Sequence, residues 1–253
     1  MRTVGVILAG GQGTRLKPMT SYINKHLLHI YNKPMINHSI SVMKSARIKD
    51  IYLICNPDDE EIFKNYFDTL NLKLNIKFVI QNKPDGIVGG LKLVEEFIKK
   101  KTKVLLLLGD NIFIGQGLYQ NYIQPALKSK NSCSFFSIYS SEPKKFGTIK
   151  YNGTTPSKII EKPKKFVSNN IVTGMYVLDS SCFNIIKKIK LSKFNQYEIT
   201  DVLNVYIKNK NFNYFKFGDG FAWLDCGEPD SLYKASEIVK FYYDLFKINL
   251  GKI

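Results

Sequence analysis

TVGVILAGGQGTRL, residues 3–16, is the stretch from which the rest of the sequence is best interpreted. Residues 3–9 form a short apolar run closed by glycines, which is typical of a strand buried on both faces of a parallel sheet. A glycine-rich loop follows where α/β sheets bind phosphate, because glycines let backbone N–H groups approach anionic oxygens. Arg15 would add a bidentate donor. The loop matches neither GxGxxG nor a P-loop, so by itself it is equally consistent with a tight turn that binds no ligand.

Apolar runs and helical patterns alternate through the first half of the chain. A helix is predicted to begin at Pro34 and to run toward Ala46, with Ile36, Ile40 and Met43 at helical spacing. The other predicted strands are 51–55, 77–80 and 104–108, and the other predicted helices are 58–67 and 87–99. This alternation indicates an α/β protein with a doubly wound, mostly parallel, Rossmann-like sheet.

The second half changes character, with short strands separated by turns, and it is predicted to be a smaller substrate-binding elaboration. The strands are predicted at 135–139, 147–151, 172–178 and 214–217, and residues 152–157 are predicted to be a loop. Residues 231–246 predict an amphipathic terminal helix, whose apolar face carries Leu232, Ala235, Val239, Tyr242 and Phe246. We therefore predict one domain over residues 1–253: 1–130 mainly bind nucleotide, 131–230 mainly bind sugar phosphate, and 231–247 form the terminal helix.

Composition excludes several classes of protein. The chain has 253 residues, 44% of them hydrophobic, and 37 Lys+Arg against 21 Asp+Glu give a formal net charge of +16. This hydrophobic content argues against intrinsic disorder. The lysines are spread in clusters without a basic arm or an RNA-binding pattern, so solvated faces are favoured over a nucleic-acid site. The charge would also suit polyanionic substrates such as nucleoside triphosphates.

The cysteines and the apolar runs indicate where the protein resides. The four cysteines are far apart and form neither a CxxC pair nor a Cys/His cluster, so reduced thiols in a cytoplasmic protein are expected. No apolar run approaches the roughly 20 residues that span a bilayer, and the N-terminus lacks a secretory pattern. We expect no membrane partner.

Beyond the glycine loop, eight further motifs follow in a fixed order. They are Asn24 to Leu28 with Tyr31 to Met35, Gln81 with Pro84-Asp85-Gly86, Leu108 to Phe113, Phe146-Gly147, Glu161-Lys162-Pro163, Val172 to Tyr176, Glu198 to Asp201, and Ala222 to Gly227. With these motifs the sequence resembles the sugar-1-phosphate nucleotidyltransferases, in particular the glucose-1-phosphate thymidylyltransferases, over nearly its whole length. The resemblance implies transfer of a nucleotidyl group from a pyrimidine nucleoside triphosphate, dTTP above all, to a sugar 1-phosphate such as glucose 1-phosphate.

The resemblance also implies where the nucleotide binds. Arg15 and Lys25 would hold the triphosphate, since the reaction needs charge neutralised on the α-phosphorus and on the leaving pyrophosphate. Gln81 would read the base edge, and its amide suits thymine or uracil, although a flipped amide could pair with cytosine. The implied nucleotide contacts are Leu8, Gly10, Gly11, Gly13, Thr14, Arg15, Lys25, Gln81, Pro84, Gly86 and Asp110.

A magnesium site follows from the same resemblance. Asp110 comes directly after a predicted buried strand, which places it at the ligand-binding end of the sheet. Asp225 supplies a second carboxylate, and Mg²⁺ favours one or two carboxylates together with phosphate oxygens and water. Without the resemblance, both aspartates are better explained as turn residues.

The sugar-phosphate side is implied by motifs in the second half. Lys162 would grip the sugar phosphate as a catalytic cation beside Arg15 and Lys25, although a solvated basic loop is the competing interpretation. Glu198 could also be a first-turn carboxylate of a helix. The implied contacts are Gly147, Glu161, Lys162, Val172, Thr173, Gly174 and Glu198.

Several departures from the family pattern bear on specificity and assembly. Residues 87–90 read Ile-Val-Gly-Gly where Leu-Ala-Gln-Ala is common, which predicts a wider or more mobile wall beside the base. Phe146 replaces a common tyrosine and Cys226 lies beside the metal-binding aspartate. The chain ends soon after the terminal helix, so a C-terminal regulatory nucleotide site is not expected, whereas a homo-oligomer is. UTP or CTP, another sugar 1-phosphate, or a silent nucleotide-sugar-binding protein remain the alternatives.

Overall fold

The computed structural model describes residues 2–253 and consists of alternating strands and helices. The strands are β1 Arg2–Leu8, β2 His29–Ile30, β3 Lys33–Pro34, β4 Asp50–Cys55, β5 Asn75–Ile80, β6 Thr102–Leu108, β7 Asn111–Ile114, β8 Cys133–Tyr139, β9 Gly147–Asn152, β10 Thr155–Glu161, β11 Asn170–Asp179, β12 Phe212–Lys216 and β13 Ala222–Asp225. The α-helices are α1 Ile36–Ser45, α2 Glu60–Asp68, α3 Ile87–Lys92, α4 Gln124–Lys128, α5 Cys182–Ile186, α6 Ile199–Lys208 and α7 Pro229–Phe246.

The central sheet has the strand order β10-β9-β11-β6-β1-β4-β5, with β8 added on β11 and β12 on β8. Strands β1, β4 and β5 pair in parallel, with Gly5 opposite Ile51 and Ile51 opposite Ile76. The antiparallel pairs join β8, β9, β10 and β11, the strands of the predicted elaboration. The predicted α/β class with a large, mostly parallel sheet is confirmed.

The chain divides into two compact units, each discontinuous in sequence. The N-unit comprises Val4–Pro84, Leu107–Tyr119 and Phe221–Ile253. The S-unit comprises Asp85–Leu106 and Gln120–Gly220, together with the start of β1. The functional division at residues 130 and 230 stays a prediction.

Helix α7 packs into the core of the N-unit. Its buried residues Leu232, Ala235 and Val239 contact a cluster that includes Leu16, Ile30, Met35, Ile112, Ile114 and Cys226. Tyr242 is partly buried against the same cluster, but Phe246 is 57% exposed, so its predicted place on the buried face is wrong. The apolar stripe therefore ends one turn before the helix does.

Three other predicted elements are corrected. Pro34 lies in β3 opposite His29, so α1 begins only at Ile36. The helix predicted over 87–99 stops at Lys92 and is followed by a single 3-10 turn, Glu95–Phe97. The loop predicted at 152–157 is a hairpin, in which β9 and β10 are joined by a turn with Gly153 at φ 59°.

Among the residues that the structure describes, no helix is both long enough and apolar enough to cross a membrane.

Candidate active site

The glycine-rich loop follows the C-terminal end of β1 in the N-unit. Gly13 adopts φ 62°, a left-handed conformation that favours glycine, and its carbonyl accepts a hydrogen bond from Thr20 Oγ1 at 2.7 Å. A Cβ on Gly11 would lie 2.9 Å from Lys25 Cε, so the absence of a side chain there lets Lys25 approach the loop. Leu8, Gly10 and Thr14 belong to the same strand-to-turn segment, as predicted.

Lys25 is held by the residues around it. Asn24 caps the 3-10 turn Lys25–Leu27: its side-chain oxygen accepts from His26 N at 2.8 Å, and its Nδ2 donates to the Ala9 carbonyl at 3.3 Å. The Lys25 ammonium makes an ion pair with Asp110 Oδ2, and both side chains are largely buried. The triphosphate cation and the metal-site carboxylate predicted from the sequence are thus brought together.

Asp110 is an ionised carboxylate in a crowded, buried setting. Burial opposes its ionisation, but the Lys25 ammonium and a hydrogen bond from Asn111 Nδ2, at 2.9 Å to Oδ1, help to hold its pKa at about 2. His26, beside it, is neutral, because burial and the Lys25 charge lower its pKa to about 3. The charge of this cluster therefore resides on Lys25 and Asp110.

Asp225 reaches the same place from β13. This strand pairs with β7 so that Asp225 lies opposite Asn111, and Cys226 N donates to the Asp110 carbonyl at 2.9 Å. Burial, together with repulsion from Asp110, raises the pKa of Asp225 to about 6. The pairing of β7 with β13 thus holds two carboxylates close enough to repel each other when both are ionised. A divalent cation bound between them would relieve this repulsion. Within residues 2–253 no cluster of three or more His, Cys, Asp or Glu offers a metal site, so a protein-only cage is not present.

Arg15 lies nearby in an exposed position. Its Nη1 makes a 2.6 Å ion pair with Glu228 Oε1, and its side chain is 65% exposed. A Cβ on Gly227 would lie 2.9 Å from Arg15 Nη2 and 3.2 Å from Asp225 Oδ1, so the guanidinium passes directly over this glycine. Arg15 is therefore placed beside the two aspartates and can exchange a carboxylate for a phosphate partner.

The residues predicted to read the base occupy the ends of two segments. Gln81 follows β5 and is 7% exposed; its Oε1 lies 3.1 Å from the position of a Cβ on Gly10, so only glycine fits there without a shift. Pro84 ends this segment of the N-unit. In the S-unit, Gly86 has φ 100° and a Cβ there would lie 2.8 Å from the Tyr197 carbonyl.

In the segment 87–90 the space beside Gly89 is already filled, and a wider or more mobile wall beside the base stays a prediction. A Cβ on Gly89 would lie 1.8 Å from Asp85 Oδ1, so the Asp85 carboxylate occupies the space that the missing side chain leaves. Val88, Gly89 and Gly90 are all buried. The glycine at this position serves close packing within α3 and its preceding loop.

In the S-unit, Glu161 and Gly147 lie opposite each other at the ends of β10 and β9. Glu161 Oε2 is 3.2 Å from the position of a Cβ on Gly147, and burial together with the charge of Glu198 raises the pKa of Glu161 to about 7. Glu198 precedes α6 as its N-cap residue, but its side chain accepts from Ser192 Oγ at 3.1 Å and does not cap the helix. A pair of carboxylates near a glycine is suited to accept hydrogen bonds from sugar hydroxyls.

The other predicted sugar residues lie on β11 and on the loop after β10. Val172, Thr173 and Gly174 are buried, and Thr173 Oγ1 donates to the Phe136 carbonyl at 3.1 Å, so this hydroxyl is used by the fold. Lys162 is exposed, with φ 41°, and its ammonium lies 5.4 Å from the centre of the Phe194 ring. The Lys162 charge also acts on Glu161, where it partly offsets the effects of burial and of Glu198.

Sequence reasoning missed the residues that hold the site together. Asn24 caps the turn that begins at Lys25, Asn111 contacts Asp110, Trp223 contacts Asn111 and Glu228 contacts Arg15, yet none of the four was assigned a role. The first three lie inside the quoted motifs, which was the available signal. Glu228 follows the last motif and carried none.

Comparison with known proteins identifies the family. The sequence profile described as nucleotidyl transferase matches residues 4–240. A glucose-1-phosphate thymidylyltransferase of Neisseria meningitidis is 36% identical over 98% of this chain and 86% of its own length. One from Mycobacterium tuberculosis is 35% identical over 93% of this chain and 82% of its own.

Solved structures give the same result. A Bacillus anthracis protein given the same enzyme name, in complex with sucrose, superposes with a TM-score of 0.86 at 32% identity, over 93% of this chain and 94% of its own. A UDP-glucose pyrophosphorylase in complex with UDP-glucose has a TM-score of 0.79 at 22% identity, over 96% and 99% of the two chains, and shows the shared fold. The protein belongs to the nucleotidyl transferase family.

Proposed function

We propose that this chain joins dTTP to glucose 1-phosphate, giving dTDP-glucose and pyrophosphate. The observation that carries the proposal is the convergence, in the N-unit, of Asp110, Asp225, Lys25 and Arg15 at the end of a glycine-rich loop. Support for the substrates comes from relatives 33–36% identical over most of this chain that are named glucose-1-phosphate thymidylyltransferases.

The reaction is a direct displacement at the α-phosphorus. A phosphate oxygen of glucose 1-phosphate forms the new bond to the α-phosphorus, and the bond from the α-phosphorus to the bridging oxygen of pyrophosphate breaks. The electron pair leaves with pyrophosphate, so no covalent enzyme intermediate and no further reactant are needed. Catalysis of this kind depends on positioning and on neutralising charge.

Residues of the N-unit would bind the triphosphate. Backbone N–H groups of the glycine loop would donate to its oxygens, and Arg15 would leave Glu228 to pair with the phosphates. Lys25, which pairs with Asp110, would share its ammonium protons with an α-phosphate oxygen. Gln81 would read the thymine edge, which uracil shares, so UTP is the nearest alternative donor.

Asp110 and Asp225 would hold Mg²⁺, which supplies positive charge that stabilises the α-phosphate and the departing pyrophosphate. Divalent metal ions are general in enzymes of this kind. The residues of this chain fit one such ion through two carboxylates and leave its other positions to substrate and water.

Residues of the S-unit would bind glucose 1-phosphate. Lys162 is the cation for its phosphate, and Glu161 and Glu198 would accept hydrogen bonds from hydroxyls beside Gly147. A homo-oligomer, a cytoplasmic location and the absence of nucleic-acid partners belong to the proposal as well.

Pyrophosphate release tests the proposal. Purified protein with Mg²⁺ is incubated with each of dTTP, UTP, CTP, ATP and GTP against several sugar 1-phosphates, and product masses are confirmed. Release that requires both substrates and is fastest with dTTP and glucose 1-phosphate is expected. Asp225→Ala should abolish turnover with an unchanged circular dichroism spectrum, and Asp219→Asn, at an exposed position, is the matched control. A folded wild-type protein that is silent across the whole grid would refute the assignment in favour of a binding protein.

A further inference from the structure

Two lysine side chains of the S-unit approach the same aromatic ring. The centre of the Phe194 ring lies 5.4 Å from Lys162 Nζ and 4.9 Å from Lys193 Nζ, and both distances fall within the range of cation–π attraction. The two ammonium groups therefore cannot be farther apart than these two distances together. All three residues are exposed, so a ligand from solvent can reach both charges. The sequence motifs assign a role to Lys162 alone, and Lys193 lies outside them.

The loop that carries Lys193 is closed by its own backbone. Asn195 N donates to the Ser192 carbonyl at 3.0 Å, and Ser192 N donates to the Gln196 carbonyl at 2.9 Å. Asn195 takes φ 55°, in the left-handed region that asparagine adopts more readily than most residues. Residues 192–196 therefore form a compact turn, and the Cα of Lys193 is held in one place by it.

The side chain of Ser192 ties this turn to the predicted sugar site. Its Oγ donates to Glu198 Oε1 at 3.1 Å and accepts from Phe194 N at 3.1 Å. One hydroxyl thus connects a carboxylate predicted to bind sugar hydroxyls with the backbone directly after Lys193. The position of Lys193 is therefore fixed relative to Glu198.

Lys162 belongs to the same site through another strand. It directly follows Glu161, the last residue of β10. Glu161 and Glu198 are close enough for their charges to interact, because the charge of Glu198 is one cause of the raised pKa of Glu161. Each lysine is therefore connected to one carboxylate of this pair, Lys162 by direct sequence and Lys193 through Ser192.

We propose that Lys193 is a second cation for the phosphate of the sugar 1-phosphate, and that the Phe194 ring holds both lysine ammonium groups beside that phosphate. In a sugar 1-phosphate the phosphate and the hydroxyls are attached to the same ring. A ligand whose hydroxyls bind the two carboxylates therefore brings its phosphate toward the two lysines.

The charge of the ligand calls for more than one lysine. A phosphate monoester carries about −1.5 to −2 charges at pH 7, which Lys162 alone neutralises only in part. Lysine has a flexible four-carbon stem, so both ammonium groups can turn from the Phe194 ring to the phosphate. This inference rests on the proposed function, and it adds Lys193 to the residues that bind the sugar phosphate.

Lys193→Gln is the test variant, because it removes the charge and keeps most of the length of the side chain. The matched control is Lys190→Gln, the same change at an exposed lysine three residues earlier. Binding of glucose 1-phosphate is measured by calorimetry with Mg²⁺ and an unreactive dTTP analogue that has a methylene group between its α- and β-phosphorus atoms. We expect Lys193→Gln to raise Kd about 10-fold, near the lower end for a hydrogen bond to a charged group. Lys190→Gln should leave Kd unchanged.

Two further variants separate a phosphate contact from damage to the loop. Lys193→Arg keeps the charge and should restore most of the affinity. Phe194→Leu removes the ring face but keeps an apolar side chain, so it should raise Kd about 3-fold, as expected for the loss of an exposed cation–π contact. An unchanged Kd in Lys193→Gln, or an equal rise in Lys193→Arg, would overturn the role of Lys193. An unchanged Kd in Phe194→Leu would overturn the role of the ring.

Steady-state kinetics test whether the contact is specific to the sugar phosphate. In Lys193→Gln the KM for glucose 1-phosphate should rise by the same factor as Kd, while the KM for dTTP and the circular dichroism spectrum stay unchanged. An equal rise in both KM values would contradict the inference, because Lys193 would then act on the whole site.

The calorimetric assay uses no turnover, so failure of the inference is distinguishable from failure of the proposed function. Wild-type protein that binds glucose 1-phosphate through Lys193 but releases no pyrophosphate would refute the proposed function alone. Normal pyrophosphate release, with a Kd that Lys193→Gln does not change, would overturn the inference alone. Wild-type protein that binds no glucose 1-phosphate would overturn both.

Discussion

Replacing Asp225 by asparagine should stabilise the metal-free protein while it abolishes turnover. Asp225 is buried beside the ionised Asp110, and burial together with this like charge raises its pKa from 3.8 to about 6. A carboxyl group whose pKa is higher in the folded than in the unfolded chain costs stability as the pH rises from the unfolded value through the folded one. Asparagine carries no charge at any of these pH values, so the cost disappears.

The size of the effect follows from the shift. A difference of about two pKa units at about 1.36 kcal/mol each makes ionised Asp225 cost about 3 kcal/mol at pH 8, and only about 1 kcal/mol near pH 4.5. The amide must find hydrogen-bond partners of its own, which shifts the gain by a constant amount at both pH values. The firm expectation is therefore the difference of about 2 kcal/mol between the two pH values.

Urea unfolding of wild-type protein and Asp225→Asn, in a chelator, measures this. The free energy of unfolding of the variant should exceed that of the wild type more at pH 8 than at pH 4.5, and Asp219→Asn should show no such trend. Adding Mg²⁺ should narrow the gap, because only the wild type keeps both carboxylates to bind it. A gap that is independent of pH, or a variant less stable at pH 8 than at pH 4.5 relative to wild type, would refute the reasoning.

Three further outcomes follow from the geometry of the site. Gly227→Ala puts a Cβ 2.9 Å from Arg15 Nη2, which is the end of a flexible side chain. The free energy of unfolding should therefore change little, while KM for dTTP rises several-fold. An unchanged KM would show that Arg15 does not bind the triphosphate. Gly147→Ala puts a Cβ 2.9 Å from Thr200 Cγ2 and 3.2 Å from Glu161 Oε2, and it should raise KM for glucose 1-phosphate without changing that for dTTP; equal changes in both would contradict the assignment. Burial and the charge of Glu198 raise the pKa of Glu161 to about 7. KM for the sugar phosphate should therefore fall as the pH rises through about 7, because the ionised carboxylate is the better acceptor. Glu161→Gln should flatten this pH profile.

The pattern of residues 3–16 and the alternation after it predicted the parallel strands correctly, because buried parallel strands and amphipathic helices have distinct periods. Pro34 was misplaced because proline suits both the first turn of a helix and an edge strand, and only its pairing with His29 decides between them. Likewise, the composition of residues 152–157 suits both an open loop and the turn of a hairpin. The register of β9 with β10 shows that they belong to a hairpin.

The candidate site shows the same division. Arg15, Lys25, Asp110 and Asp225 could be named from motifs, since the chemistry of phosphate and metal binding restricts the residue types. That Lys25 pairs with Asp110 and that Arg15 pairs with Glu228 could not be predicted, because partners far apart in sequence meet only through the fold.

By itself, then, the sequence determined the α/β class, the order of the motifs and the kinds of groups available for the chemistry. Those properties depend on local periodicity and on residue type. The tertiary structure alone decided the pKa values of Asp110 and Asp225 and the orientation of the Asn111 amide. Burial and charge–charge distance are properties of residues brought together in space, and Asp225 meets Asp110 only because β13 pairs with β7.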